Sequence, residues 1–207
     1  MAKILTGSDQ VLGTNLKIWF EVCPMRPRER EGKTHVDLAV GNIVRRQGTH
    51  SGITLENVES PWVCFCEMKW YSDISPNVSY DIHRNQLVRL IENALCFEGN
   101  GKYAAKVYVT LVTPLVFREA SSRSRLYQYK FEEYSKDRSY VVRDLNVCAL
   151  KKRSHRDRPF PDLSERLACL SLHWATYDEL FENLPPSAIA AELRKFWREH
   201  GNYQGRK

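Results

Sequence analysis

The stretch Trp62-Val63-Cys64-Phe65-Cys66-Glu67-Met68-Lys69-Trp70 sets an acid and an amine inside a run that is otherwise aromatic and apolar. That composition suits a strand in the middle of a sheet. Successive side chains on a strand alternate between faces. Val63, Phe65, Glu67 and Lys69 therefore point one way, and Trp62, Cys64, Cys66, Met68 and Trp70 point the other. An ionised group on a buried strand needs an opposite charge or a metal ion to offset its lost hydration. What meets Glu67 and Lys69 decides the chemistry.

Upstream, Thr34 to Val44 has a period of two, with Val36, Leu38 and Val40 alternating with His35, Asp37 and Ala39. This predicts a half-polar strand. If it neighbours the 62–70 strand, two carboxylates and one ammonium converge. Two carboxylates can hold a hard divalent cation through oxygen and leave room for water and a phosphate. The ion polarises the phosphoryl group and acidifies bound water, and the ammonium can orient that water or neutralise developing charge. Mg²⁺ suits the oxygen set, with Mn²⁺ as a substitute, since no His or Cys pair accompanies it. The competing reading is an inward salt bridge from Asp37 or Glu67 to Lys69 that only organises the sheet.

Further out, the pattern predicts a helix from Ser8 or Asp9 to about Glu21, then a loop through Pro24, Pro27 and the charged run Arg26 to Lys33. Residues 45–60 read as a hairpin or loop with a short strand near Ile53. Tyr80 to Phe97 has helical spacing in Ile82, Leu87, Leu90, Ile91, Ala94 and Leu95, and Gly99 and Gly101 close it. Lys102 to Thr113 reads as a strand with Val107, Val109 and Leu111 on one face, and Leu115 to Lys136 as helix. One more strand falls in Tyr140–Val142 or Val147–Leu150. Leu163 to Trp174 is open between helix and strand. Thr176 caps a short helix to Leu184, and Ser187 caps a last one to about His200. The order is that of an α/β domain with a mixed sheet. The expected division is a core over residues 1–150 and a basic, helical C-terminal extension over 151–207 packed on it.

Asp37, followed 30 residues later by Glu67-Met68-Lys69 on an apolar strand, resembles the PD-(D/E)xK nuclease superfamily. The resemblance implies a restriction-endonuclease-like fold, a mixed central β-sheet flanked by helices, and Mg²⁺-dependent hydrolysis of DNA. It implies that Asp37, Glu67 and the Met68 carbonyl ligate the ion and that Lys69 is the catalytic lysine. Arg84 to Leu90 (RNQLVRL) is similar to the Gln-bearing helix that follows the ExK strand in several branches, which makes Gln86 a contact to the lysine, water or DNA. Glu21 takes the place of a first-helix acid, a further metal ligand. The resemblance covers residues 10–115. No Pro precedes Asp37, and the long gap to Glu67 requires an inserted hairpin or loop. Cutting a duplex would favour a homodimer, by analogy. The alternatives are a catalytically inactive nucleic-acid-binding or assembly subunit of the same fold, and an unrelated α/β binding protein with a chance motif.

The charge is uneven. Residues 1–100 carry 11 Lys/Arg against 12 Asp/Glu, and residues 101–207 carry 20 against 13, within a total of +6 over 207 residues. A polyanion would meet the second half first. Its densest run, Lys151, Lys152, Arg153, Arg156 and Arg158, is a candidate phosphate contact or a solvated loop. Cys23, Cys64, Cys66, Cys96, Cys148 and Cys169 form no C-x-x-C, so free thiols in a reducing compartment are expected. No window approaches the roughly 20 apolar residues of a membrane span, and the first residues lack an apolar leader core. The expectation is a cytoplasmic protein without membrane contact. Walker, dinucleotide-binding, G-x-S-x-G and H-E-x-x-H signatures are missing. His35 shares the Asp37 face, whereas His83, His155, His173 and His200 have no spaced partner and read as structural. Trp70 and Tyr71 end the strand beside the site and read as packing or as base-stacking rings.

Overall fold

The computed structural model describes residues 1–9, 16–29, 31–77, 84–119, 125–147 and 162–201. Its strands are β1 (Lys17–Val22), β2 (Val36–Gly41), β3 (Ile43–Arg45), β4 (Ile53–Leu55), β5 (Trp62–Met68), β6 (Glu98–Gly99), β7 (Lys102–Tyr103), β8 (Lys106–Thr113) and β9 (Leu170–Thr176). The helices are α1 (Ala2–Thr6), α2 (Gln86–Leu95), α3 (Leu115–Glu119), α4 (Leu126–Lys136), α5 (Ser139–Asn146), α6 (Leu163–Leu167), α7 (Tyr177–Glu182) and α8 (Ala188–His200). Five strands form one sheet in the order β1-β2-β5-β8-β9, and β3-β4 and β6-β7 are two separate hairpins. β1, β2 and β5 run antiparallel, while β5, β8 and β9 run parallel. The protein is therefore a mixed α/β fold with a mixed central sheet between helices. Among the described residues no helix is long and apolar enough to cross a membrane.

The alternation read in β5 divides the molecule into two cores. Val63 and Phe65 join Val107, Val109 and Leu111 of β8 under α2, α4 and α5. Trp62, Cys64 and Cys66 lie on the opposite side with Leu5 of α1, Tyr177 of α7 and Trp197 of α8. Phe65 meets Phe97 edge to face at 5.1 Å. At the end of β2, Gly41 has φ 136°. A Cβ there would run into the Trp62 carbonyl oxygen and lie 3.0 Å from Val63 Cα, so the close approach of β2 to β5 needs glycine.

Several expectations are corrected. Lys17–Val22 is a strand, not the end of a helix. Ile18, Trp19, Phe20 and Val22 are the β-branched and aromatic residues that favour extended chain, and pairing with β2 satisfies their backbone. α2 begins at Gln86, because the Asn85 side chain caps it by accepting from Val88 N at 2.9 Å. Ser139–Asn146 is helix, with Val141 and Leu145 buried at helical spacing, which overturns a strand at Tyr140–Val142; the other place for it, 147–150, lies outside the described residues after Val147. The open segment Leu163–Trp174 holds both a helix turn and most of β9. The C-terminal segment thus supplies a sheet strand as well as helices. Thr176 caps α7 through a reciprocal capping box with Glu179, and Ser187 caps α8, as read from the sequence. Among the described cysteines all are free, four of them buried.

Candidate active site

The β2–β5 ladder pairs Gly41 with Val63, Val40 with Cys64, Ala39 with Phe65 and Leu38 with Cys66. It stops there, one residue short of Asp37 and Glu67. Met68 N–H, lacking a main-chain partner on β2, donates instead to Asp37 Oδ2 at 2.7 Å. The parting of the two strands thus replaces a backbone hydrogen bond with a carboxylate. β5 stays tied on its other side, where Lys69 N–H donates to the Val112 carbonyl at 2.8 Å.

Glu67 is only 2% exposed. Its Oε1 accepts from Lys69 Nζ at 2.8 Å and from Gln86 Nε2 at 2.5 Å. Gln86 is held at both ends: its Oε1 accepts from Ser75 N at 3.2 Å, and its own N–H donates to the Ser75 carbonyl at 3.0 Å. That bond fixes which end of the amide faces Glu67. Asp37, Glu67, Lys69 and Gln86 are therefore brought together where β5 ends and α2 begins. The ends of parallel strands are where open α/β sheets present ligand sites.

The electrostatics are lopsided. Burial pushes the Glu67 carboxyl up to about 7, Asp37 adds to the rise by repulsion, and Lys69 and Arg89 oppose it. Burial, not an excess of negative charge, therefore sets the rise, and Lys69 opposes it more strongly than Asp37 adds to it. The donor chemistry, two carboxylates with a strand-end carbonyl nearby in sequence, is the hard-oxygen set that suits Mg²⁺. Among the described residues no group of three or more His, Cys, Asp or Glu gathers as a metal site. An ion here would need water and substrate oxygens to complete its shell. The hydrogen bond from Cys64, then burial, raise the Cys66 thiol, so it stays protonated and is no nucleophile.

Two neighbours escaped sequence reading. Tyr177 follows β9 directly, at the level where Thr176 pairs with Thr113 and Met68 with Val112. Burial, then the charges of Asp37 and Glu67, push its hydroxyl up to about 12. Its ring packs on Trp70 at 5.2 Å. The signal was an aromatic at the start of a helix, which alone says only packing. Behind α2 lies a buried ionic cluster. Arg84 reaches Glu31 at 2.7 Å and also pairs with Glu92, Arg28 Nε holds both oxygens of Glu92 at 2.8 and 2.9 Å, and Arg89 holds Glu31 at 2.7 Å. These residues come from a loop and a helix with no shared spacing, so no sequence pattern marked them.

The remaining candidates fall elsewhere. Glu21 is exposed on β1 with φ 48°, in the register gap between Phe20–Leu38 and Val22–Val36. It lies across from Asp37 but on a strand, not on the helix expected for it. His35 precedes β2, is exposed, and lies 3.7 Å from Cys23 Sγ. His173 is half-buried on β9, and burial lowers its pKa. Lys151, Lys152, Arg153, Arg156 and Arg158 lie outside the described residues, as do Tyr80, His83, Cys148 and His155. The chain matches no protein-family model, no curated protein and no solved structure.

Proposed function

We propose that the chain is a metal-dependent nuclease of restriction-endonuclease-like fold that hydrolyses DNA phosphodiester bonds. One observation carries the reading: an acid from each of two parting strands, a lysine and a helix-start glutamine meet at one strand end. Asp37, Glu67 and the Met68 carbonyl would hold Mg²⁺ or Mn²⁺, which when bound supplies Lewis acidity and lowers the pKa of water. Lys69, its side chain 14% exposed, sets Nζ against Glu67 Oε1, where it can orient an attacking water and offset charge on the phosphorane. Gln86 fixes the Glu67 carboxylate from the helix side. Asp37 fixes the β5 end by accepting from Met68 N–H. The excess of Lys and Arg in residues 101–207 supplies the field that attracts a polyanion. A homodimer would place two such centres on a duplex.

A second reading is favoured by the same contacts. The Glu67–Lys69 pair, closed by Gln86, is also what a structural salt bridge makes in a nucleic-acid-binding or assembly subunit without catalysis. Cleavage of plasmid and oligonucleotide DNA with Mg²⁺, Mn²⁺ or EDTA separates the two. The nuclease reading expects Glu67→Ala and Lys69→Ala each to cost on the order of 10²–10⁴-fold in rate. Full activity in Lys69→Ala, or in EDTA, would overturn it. DNA binding without any cleavage would leave the second reading standing.

A further inference from the structure

α8 has two faces. Ala190 and Trp197 are buried, Trp197 in the core that also holds Tyr177, and the outer side carries Ile189, Leu193 and Phe196, exposed by 70%, 37% and 47%. At the C-terminal end of this stripe Phe196 and His200 stack with centroids 4.4 Å apart and planes 18° from parallel. His200 is exposed as well. The pair adjoins Trp70, whose ring lies 6.3 Å from Phe196 and 4.9 Å from Trp197. Trp70 follows Lys69 directly. Tyr71 anchors the arrangement, donating its hydroxyl to the His200 carbonyl at 2.6 Å. Two flat rings are thus held open to solvent beside Trp70, the residue that follows Lys69 along the chain. They lie on the sheet face opposite α2 and Gln86.

We infer that the Phe196–His200 stack is a platform for an unpaired nucleobase, so that the substrate presents a single-stranded or splayed nucleotide beside the cleaved bond. The position beside that bond rests on the nuclease reading. Every base offers a π-face, so aromatic stacking binds single strands without sequence preference. Arg198 is exposed on the same helix and suits a phosphate backbone, whereas Lys195 pairs with Glu199 at 3.9 Å. A second copy of the chain is a poorer occupant. The 13 residues of α8 give a strip about 20 Å long and about 10 Å wide, and its roughly 200 Å² is well short of the ~800 Å² per partner of a stable interface. A duplex keeps its bases stacked inside and offers no face to the platform.

The test is binding of the full chain, in EDTA, to a single-stranded oligonucleotide carrying 2-aminopurine and to the matching duplex. The inference expects fluorescence quenching on the single strand. It expects Phe196→Ala to weaken single-strand binding about 5- to 150-fold, the range of one base–aromatic stack, with duplex binding unchanged. Phe196→Tyr should retain both binding and quenching, which separates stacking from misfolding. Unchanged single-strand binding in Phe196→Ala, equal loss for single strand and duplex, or a wild-type dimer that Phe196→Ala converts to monomer would each overturn it. Cleavage by Glu67→Ala reports separately on the nuclease reading. Loss of cleavage there, with Phe196→Ala binding normally, would defeat the platform alone. Retained cleavage, with Phe196→Ala impaired, would defeat the catalytic assignment alone.

Discussion

Raising the pH in the absence of a divalent ion should weaken the fold at one identifiable residue. Glu67 is buried beside Asp37, and burial first, then that neighbour, lift its carboxyl from 4.5 to about 7. The folded chain therefore holds a proton there that the unfolded chain gives up. Below the unfolded value both states are protonated and the contribution is fully present. As pH climbs through the folded value it is lost. The gap between 4.5 and about 7 corresponds to about 3 kcal/mol. Glu67→Gln keeps the shape of the side chain and cannot ionise. Urea unfolding in EDTA, stepped from pH 4.5 to 8, should show the wild type losing about 3 kcal/mol more than the variant. Above pH 7, Mg²⁺ should restore stability to the wild type and not to Glu67→Gln, by about 2.7 kcal/mol at 100 times its Kd. Parallel pH profiles for the two proteins would refute the electrostatic account of the site.

Three further outcomes are expected. Gln86→Leu removes a donor from Glu67 Oε1, so the Glu67 transition in the same pH series should move above about 7, with a stability cost of about 1 kcal/mol. Arg84→Met leaves Glu31 and Glu92 buried without their shared cation and should cost about 3–5 kcal/mol in urea or thermal unfolding. Gly41→Ala forces a side chain onto φ 136° and against the Trp62 carbonyl, and should cost about 1–3 kcal/mol by the same measurement. That substitution pushes apart β2 and β5, the strands that carry Asp37 and Glu67, so it should also disturb the site, read as a loss of the pH-dependent component at Glu67.

The strand that carries the acid and the lysine was legible because its two faces are both apolar and its charges are few. The parity of Val63 and Phe65 against Cys64 and Cys66 predicts both cores directly. The start of α2 was misplaced because apolar spacing extends into residues where Asn85 has already imposed its cap. Lys17–Val22 was misread since Leu16, Trp19 and Phe20 fit a helical face as well as a strand, and only pairing with β2 decides between them. Glu67, Lys69 and Gln86 were each visible as residues, but their meeting was not. It depends on where the β2–β5 ladder stops and on Ser75 gripping the amide. Tyr177 and the Arg84 cluster were beyond reach, being joined only by the crossing of distant segments.

The placement of β9 sets a lower bound on how much chain the motif needs. A fragment ending near residue 115 would keep Asp37, Glu67, Lys69 and Gln86. It would also strip β8 of the neighbour that pairs with it from Val107 to Thr113. Arg138 and Arg118 now cover the outward carbonyls of Leu170 and Trp174 on β9, a guard the shortened piece would lack. A bare row of amides flanked by Val107, Val109 and Leu111 would recruit other strands. Trimmed to the residues that carry the motif, the protein should precipitate.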